Sequence, residues 1–151
     1  MFEREEFETN LLMREPYVVA VGASHRLARF DSIPLRELAD EGLIMTRGVK
    51  ALYVKRNFRH AFKRACIQPR TSQEVNELHA ILGLVAGGLG VALVPRSIVK
   101  LHLDGVEYRP LLANESPMAE MFIARRVDDQ TSTVRQFIDM AKQIYPDAVS
   151  V

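Results

Sequence analysis

With 151 residues the chain is long enough for one domain or two small lobes, and a chain of this size buries roughly 70% of its unfolded surface without needing staples. Hydrophobic residues make up 48% and charged residues 26%, with a formal net charge of +1, which excludes a disordered tail and removes any global electrostatic reason to bind DNA. The single cysteine, Cys66, excludes an internal disulfide framework. No apolar run approaches the roughly 20 residues of a membrane span, and the start Met1-Phe2-Glu3-Arg4-Glu5-Glu6 has the wrong charge for a secretory signal. A cytoplasmic protein with no membrane association is expected.

In chain order, Leu12 to Gly22 reads as a strand interrupted by Arg14-Glu15-Pro16, with Tyr17-Val18-Val19-Ala20-Val21 as its buried part. Leu35 to Ala39 is a short helical stretch with Pro34 in its first turn. Gly42 to Thr46 is a second buried strand. A helix over about Leu52 to Ala65 places Phe58, Ala61, Phe62 and Ala65 on one apolar face. Arg70 to Val75 is a third strand, and it leads into a helix over Glu77 to Val85 that ends at Gly87-Gly88. Gly90 to Pro95, Val106 to Leu111 and Met118 to Arg126 are further strands. The last helix runs from about Ser132 to Tyr145, capped by Thr131 or Ser132 and stopped by Pro146; Val134, Phe137, Ile138, Ala141 and Ile144 form its apolar face. Strands alternating with helices predict βαβ units and a mostly parallel sheet. Arg14-Glu15-Pro16 and the run from Leu112 to Pro117 are the places where the chain would cross between lobes.

Few constellations carry chemistry. Gly83 to Gly90 superficially resembles a phosphate loop, but here the glycines close a helix and open a strand, the reverse of the order that phosphate binding requires. A C-cap role is the reading of these residues. Between Gly42 and Gln73 there is no Asp or Glu, whereas Arg47, Lys50, Lys55, Arg56, Arg59, Lys63, Arg64 and Arg70 are present. Such a helix can contact phosphates or present a solvated face, and the second reading is favoured because its aromatic residues lie on the apolar side. His25, His60, His79 and His102 have no metal-site spacing, His25 falls in the turn after the first buried strand, and Cys66 reads as a small buried hydrophobe. No serine elbow or convergent acid–base set is present, so no catalytic residues, metal or cofactor are expected.

The run Glu74 to Pro95 (EVNELHAILGLVAGGLGVALVP) resembles the effector-binding domain of the LysR-type transcription regulators. Arg14 to Val21 with Ser24 to Ala28, Ile33 to Glu41, Gly105 to Leu111 and Val134 to Phe137 fit the family in the same order. The resemblance implies an α/β, periplasmic-binding-protein-like (type II) lobe with a remnant of a second lobe. Residues 1–16 would be the remnant of the first lobe with the hinge strand, 17–112 the second lobe, and 113–151 the return to the first. It further implies a small-molecule effector, assembly as a homo-dimer or tetramer, and DNA contact only through an N-terminal winged helix-turn-helix that is absent from this chain. The alternatives are a solute-binding protein of a transporter and an enzyme on the same fold.

Ligands of parallel α/β sheets bind beyond the carboxyl ends of strands, against helix N-termini. Two segments qualify: Thr46 to Tyr53, with Thr46, Arg47, Lys50, Leu52 and Tyr53, and the helix start at Asn76 and Glu77. With Arg47 or Lys50 nearby, a small carboxylate is the expected effector, and resemblance to regulators of aromatic-compound catabolism suggests an aromatic acid or its ring-cleavage product. Arg14, Glu74 and Tyr145 would form a secondary site at the hinge, with Arg14 and Glu74 as an ion pair, against the plainer alternative of three exposed residues that share no contact.

Overall fold

A computed structural model describes residues 6–48, 51–129, 131–145 and the backbone of 149–150. The chain forms two compact units, a larger one over Pro16–Ala119 and a smaller one made of Met1–Glu15 and Glu120–Val151. Residues 113–119, placed beyond the second lobe on sequence grounds, group with the larger unit. They are held there by Ser116 Oγ donating to Tyr17 O at 2.9 Å, by the Tyr17 N–H on Pro117 O at 3.0 Å, and by Glu115 accepting from the Leu35 N–H at 2.6 Å.

The first strand, β1 (Phe7–Gly22), is continuous through Arg14-Glu15-Pro16 rather than interrupted there. In the larger unit its second half is buried on both faces, as its unbroken apolar run requires. Strand β2 (Gly42–Thr46) pairs in parallel with β3 (Arg70–Val75), and an isolated parallel bridge, Leu43 to Val91, joins β2 to the chain just before β4 (Ala92–Pro95). β1 then lies antiparallel between β4 and β5 (Val106–Pro110), with Val18 opposite both Val94 and Pro110. The resulting order is β3-β2-β4-β1-β5. Parallel pairing is present on the β2 side, but β1 reverses the direction because it enters the unit as a free strand, without the helical crossover that parallel neighbours need.

Each face of this sheet carries its own core. Tyr17, Val19 and Val21 pack with Leu27, Ile33, Leu35 and Leu38, and with Phe58 and Ala61 of helix α1 (Ala51–Arg64). Phe58 meets Tyr17 edge to face, with ring centroids 4.8 Å apart. Val18 and Ala20 pack on the other side with Ile81, Leu82 and Val85 of helix α2 (Leu78–Ala86). The stretch at Leu35–Leu38 is a single 3-10 turn, and so is Arg26–Arg29, which His25 caps by accepting the Leu27 N–H on Nδ1 at 3.2 Å.

Both long helices of this unit end in the same way. After α2, Leu89 N–H reaches Leu84 O and Gly88 N–H reaches Val85 O, each at 3.0 Å, with Gly88 at φ +72°. This is a Schellman motif. After α1, Ile67 N–H bonds Phe62 O at 3.0 Å and Cys66 N–H bonds Lys63 O at 3.2 Å, with Cys66 in the left-handed region at φ +55°. Cys66 is therefore exposed, not the buried hydrophobe expected, because the left-handed cap residue points its side chain off the helix end.

In the smaller unit, β1 pairs with strand β6 (Met118–Arg126) and, at Asn10 and Leu11, with strand β7 (Val149–Ser150). Helix α3 (Ser132–Ile144) starts at Thr131, whose side chain makes no capping bond; Pro146 lies outside the described residues. The expected apolar face is divided. Ile138 is buried, whereas Phe137 and Ile144 are 64% and 65% exposed, because the helix presents a second apolar stripe that also includes Met140.

Gly90 has φ +152°, and a Cβ there would stand 2.3 Å from Gly42 O; Gly87 has an ordinary φ and no contact closer than 3.5 Å. Gly90→Ala should cost about 2–4 kcal/mol and Gly88→Ala about 1–2 kcal/mol, with Gly87→Ala within about 0.5 kcal/mol of the parent. Denaturant melts that rank the three differently would refute this assignment. Cys66→Gly should raise stability by about 0.5–1 kcal/mol by relieving the left-handed backbone, and a lowered melting midpoint would contradict it.

Candidate functional site

Strands β2 and β3 end together at Thr46 and Val75, and the Arg47 N–H closes the pair on Val75 O at 2.9 Å. From there the chain leaves to α1 through residues 47–50 and to α2 through Asn76 and Glu77. Both helix starts thus lie at the carboxyl edge of the parallel pair, the position where α/β sheets bind ligands.

The side chains at this edge divide between the two faces. Met45 and Glu74 stand opposite each other, and Met45 belongs to the core under α1. Thr46 and Val75 stand opposite each other one residue on, and Val75 packs into the core under α2 together with Ile44. Thr46 Oγ1 is buried with no hydrogen-bond partner. A hydroxyl left in that state costs about 1–3 kcal/mol, which a ligand or water would recover. Beside it, Asn76 and Glu77 are exposed, and Glu77 occupies the N-cap of α2 without a side-chain capping bond. The first-turn N–H groups of α2 therefore have no side-chain acceptor at Glu77.

On the α1 face, Lys55 Nζ donates to Glu74 Oε1 at 2.6 Å. That hydrogen bond, followed by the Lys55 charge and then the Arg47 charge, holds the Glu74 carboxyl below its usual range. Arg47 is exposed and precedes Gly48 at φ +87°; Lys50 lies outside the described residues. Leu52 is exposed on the first turn of α1, and Tyr53 is half-buried with the Arg56 guanidinium 6.0 Å from its ring centroid. The structure thus brings Thr46, Arg47, Asn76 and Glu77 to one edge, and it adds Lys55, one of the basic residues of α1.

Arg14 and Glu74, expected as an ion pair, fall in different units, and each has a partner within its own. Arg14 bonds Glu120 through Nε at 2.9 Å and through its terminal nitrogen, and Glu74 is taken by Lys55. Both belong to locally complete pairs, since Glu120 and Arg14 lie in the smaller unit and Lys55 and Glu74 in the larger. Tyr145 closes α3, its N–H on Ala141 O at 3.0 Å. Of the other basic residues, Arg64 donates to Asn114 O at 3.1 Å, a structural use of its charge.

The larger unit is thus an α/β sheet whose parallel strands β2 and β3 end where two helices begin, the second of them without a side-chain cap. The family model of the LysR substrate binding domain matches residues 2–145, and the chain belongs to that family. It is 30% identical over 137 residues to the HTH-type transcriptional regulator BenM of Acinetobacter baylyi, covering 89% of this chain and 45% of the relative. To AlsR of Bacillus subtilis it is 30% identical over 126 residues, covering 83% and 41%. The chain therefore spans less than half the length of these relatives. Among solved structures, the BenM effector-binding domain with its effector benzoate superposes with a TM-score of 0.80 at 28% identity, covering 97% of this chain and 66% of that one.

The depressed Glu74 carboxyl has a pH consequence. A group whose folded pKa is lowered contributes stability above its unfolded pKa, and that contribution disappears as pH falls through the folded value. Carboxyl-detected NMR should place the Glu74 titration below the usual carboxylate range, and Lys55→Met should move it back up. An unmoved titration in the Lys55 variant would remove Lys55 as the cause.

Proposed function

We propose that this chain is the sensing part of a LysR-type regulator and binds a small carboxylate at the carboxyl edge of β2 and β3. The observation that carries the reading is the buried, unpartnered Thr46 hydroxyl beside the uncapped start of α2, with the Arg47 charge at the same edge. A carboxylate there would accept from the hydroxyl and the first-turn amides, a favourable placement for negative charge. The benzoate held by the BenM domain supports an aromatic acid, or its ring-cleavage product, as the first ligand class to test. The names of the relatives support a regulatory protein rather than an enzyme. In the whole regulator, a winged helix-turn-helix outside this chain would contact DNA from a cytosolic homo-oligomer, and ligand occupancy would shift populations that the DNA-binding parts report.

Benzoate titrated into the labelled protein should shift the amides of Thr46, Arg47, Asn76 and Glu77. Thr46→Val should weaken binding about tenfold while leaving the free protein as stable as before or up to about 1 kcal/mol more so. If benzoate and cis,cis-muconate at millimolar concentration leave these amides unmoved, the proposal fails. In a gel shift at physiological salt, the chain alone should show no promoter-specific retention, and weak salt-sensitive binding through the basic helix would not count against this.

A further inference from the structure

The larger unit holds a second concavity, which shares no lining residue with the β2–β3 edge. It lies at the carboxyl ends of β4 and β5, on the far side of β4 from Thr46, and has a volume of about 590 Å³. Its size falls within the roughly 300–1,000 Å³ of small-molecule pockets. Tyr17 and Val18 of β1, Val99, Leu111 and Tyr108 of β5 form most of an apolar wall, and Arg96, directly after β4, is the one charged residue that lines it. Arg96 is exposed, and among the described residues it forms no ion pair. Tyr108 contributes a second polar group. It lies opposite Ala20 and packs on the core under α2, and its hydroxyl is buried without a hydrogen-bond partner. An apolar wall, one uncommitted cation and one unsatisfied donor make a polar pattern that matches a particular ligand shape.

We infer that this cavity is a separate site for an apolar-bodied monocarboxylate, whose carboxylate pairs with the Arg96 guanidinium and accepts from the Tyr108 hydroxyl while its body lies against Val18, Val99 and Leu111. Burial holds the Tyr108 phenol above its usual pKa, so it stays a donor throughout the neutral range. The chemistry requires both halves of the ligand. A short hydrophilic acid leaves the wall wet, and a neutral aromatic leaves Arg96 without its anion.

The probe is 2-naphthoate, titrated into the full 151-residue chain with methyl-labelled Val and Leu, with 2-naphthalenemethanol as the uncharged match. The naphthoate should shift the methyls of Val18, Val99 and Leu111, and Arg96→Gln should weaken it about tenfold while leaving the weak binding of the alcohol unchanged. Tyr108→Phe should also weaken the acid without lowering the melting temperature, since it removes an unsatisfied hydroxyl. Thr46→Val should not affect these shifts, which separates this site from the β2–β3 edge. Shifts confined to residues outside the cavity, equal affinity for acid and alcohol, or an Arg96→Gln variant that binds like the parent would each overturn the assignment.

Discussion

Tyr17 to Val21 is the longest stretch of chain that supplies both cores of the larger unit. Its odd residues supply the core under α1 and its even residues the core under α2, while its backbone is bonded antiparallel to β4 on one side and β5 on the other. Burying a branched apolar side chain contributes about 1.5–3 kcal/mol, and here consecutive residues do so on alternate faces. Because the same stretch fixes β4 and β5, it also fixes where those strands stop, and so where Arg96 and Leu111 follow. Pro16 falls one residue before Tyr17, where pairing with β4 begins, so its missing N–H breaks no bond to β4.

The carboxyl edge of β2 and β3 depends on a smaller device. Leu43 stands opposite Thr71 and Ile44 opposite Gln73, which leaves Ser72 as an extra residue in β3. Its hydroxyl bonds Leu43 O at 3.2 Å, and a Cβ on Gly42 or Gly90 would stand 2.8 Å from its Cβ or 3.0 Å from its Oγ. The two glycines make room for the bulge, and the bulge sets the parity of everything after it in β3. A slip of one residue exchanges the faces of a strand, so without this insertion Glu74 would face α2 and Val75 would face α1. The pairing of Lys55 with Glu74, and the lack of a partner at Thr46, are thus both consequences of a three-residue junction at the opposite end of the strands.

Much of this was legible in the chain itself. The apolar run of β1, the face of α1 and the glycines after α2 carry local signals with one physical reading each, and the elements fall where those signals place them. The direction of β1 was not legible, because a strand buried on both faces has the same composition whichever way its neighbours run. Cys66 was misread because a left-handed cap usually announces itself with glycine, and here the hydrogen bonds alone reveal it. On α3, periodicity marks Phe137, Ile138 and Ile144 as apolar but does not say which stripe the fold covers. The candidate edge could be placed from strand ends and helix starts. Its polar detail could not, since the face taken by Glu74 is decided by the bulge at Ser72, and its partner Lys55 lies 19 residues away.

The energetics of the edge narrow where the proposed carboxylate would sit. A helix N-terminus contributes about 0.3–1 kcal/mol to an anion, and satisfying a buried hydroxyl recovers about 1–3 kcal/mol. Together these reach about 4 kcal/mol at most, which corresponds to millimolar affinity. A tighter ligand must also use the cations, and those lie on the other face, since Lys55 projects from α1 toward Glu74. One small carboxylate can address the hydroxyl under α2 and the charge beside α1 only where the sheet no longer separates them, directly beyond Thr46 and Val75. There Glu74 is its competitor. An effector that approaches Lys55 must share the ammonium with a carboxylate already bonded at 2.6 Å, so its acid group has to sit over the strand ends, toward Arg47, where the resident pair leaves a charge exposed.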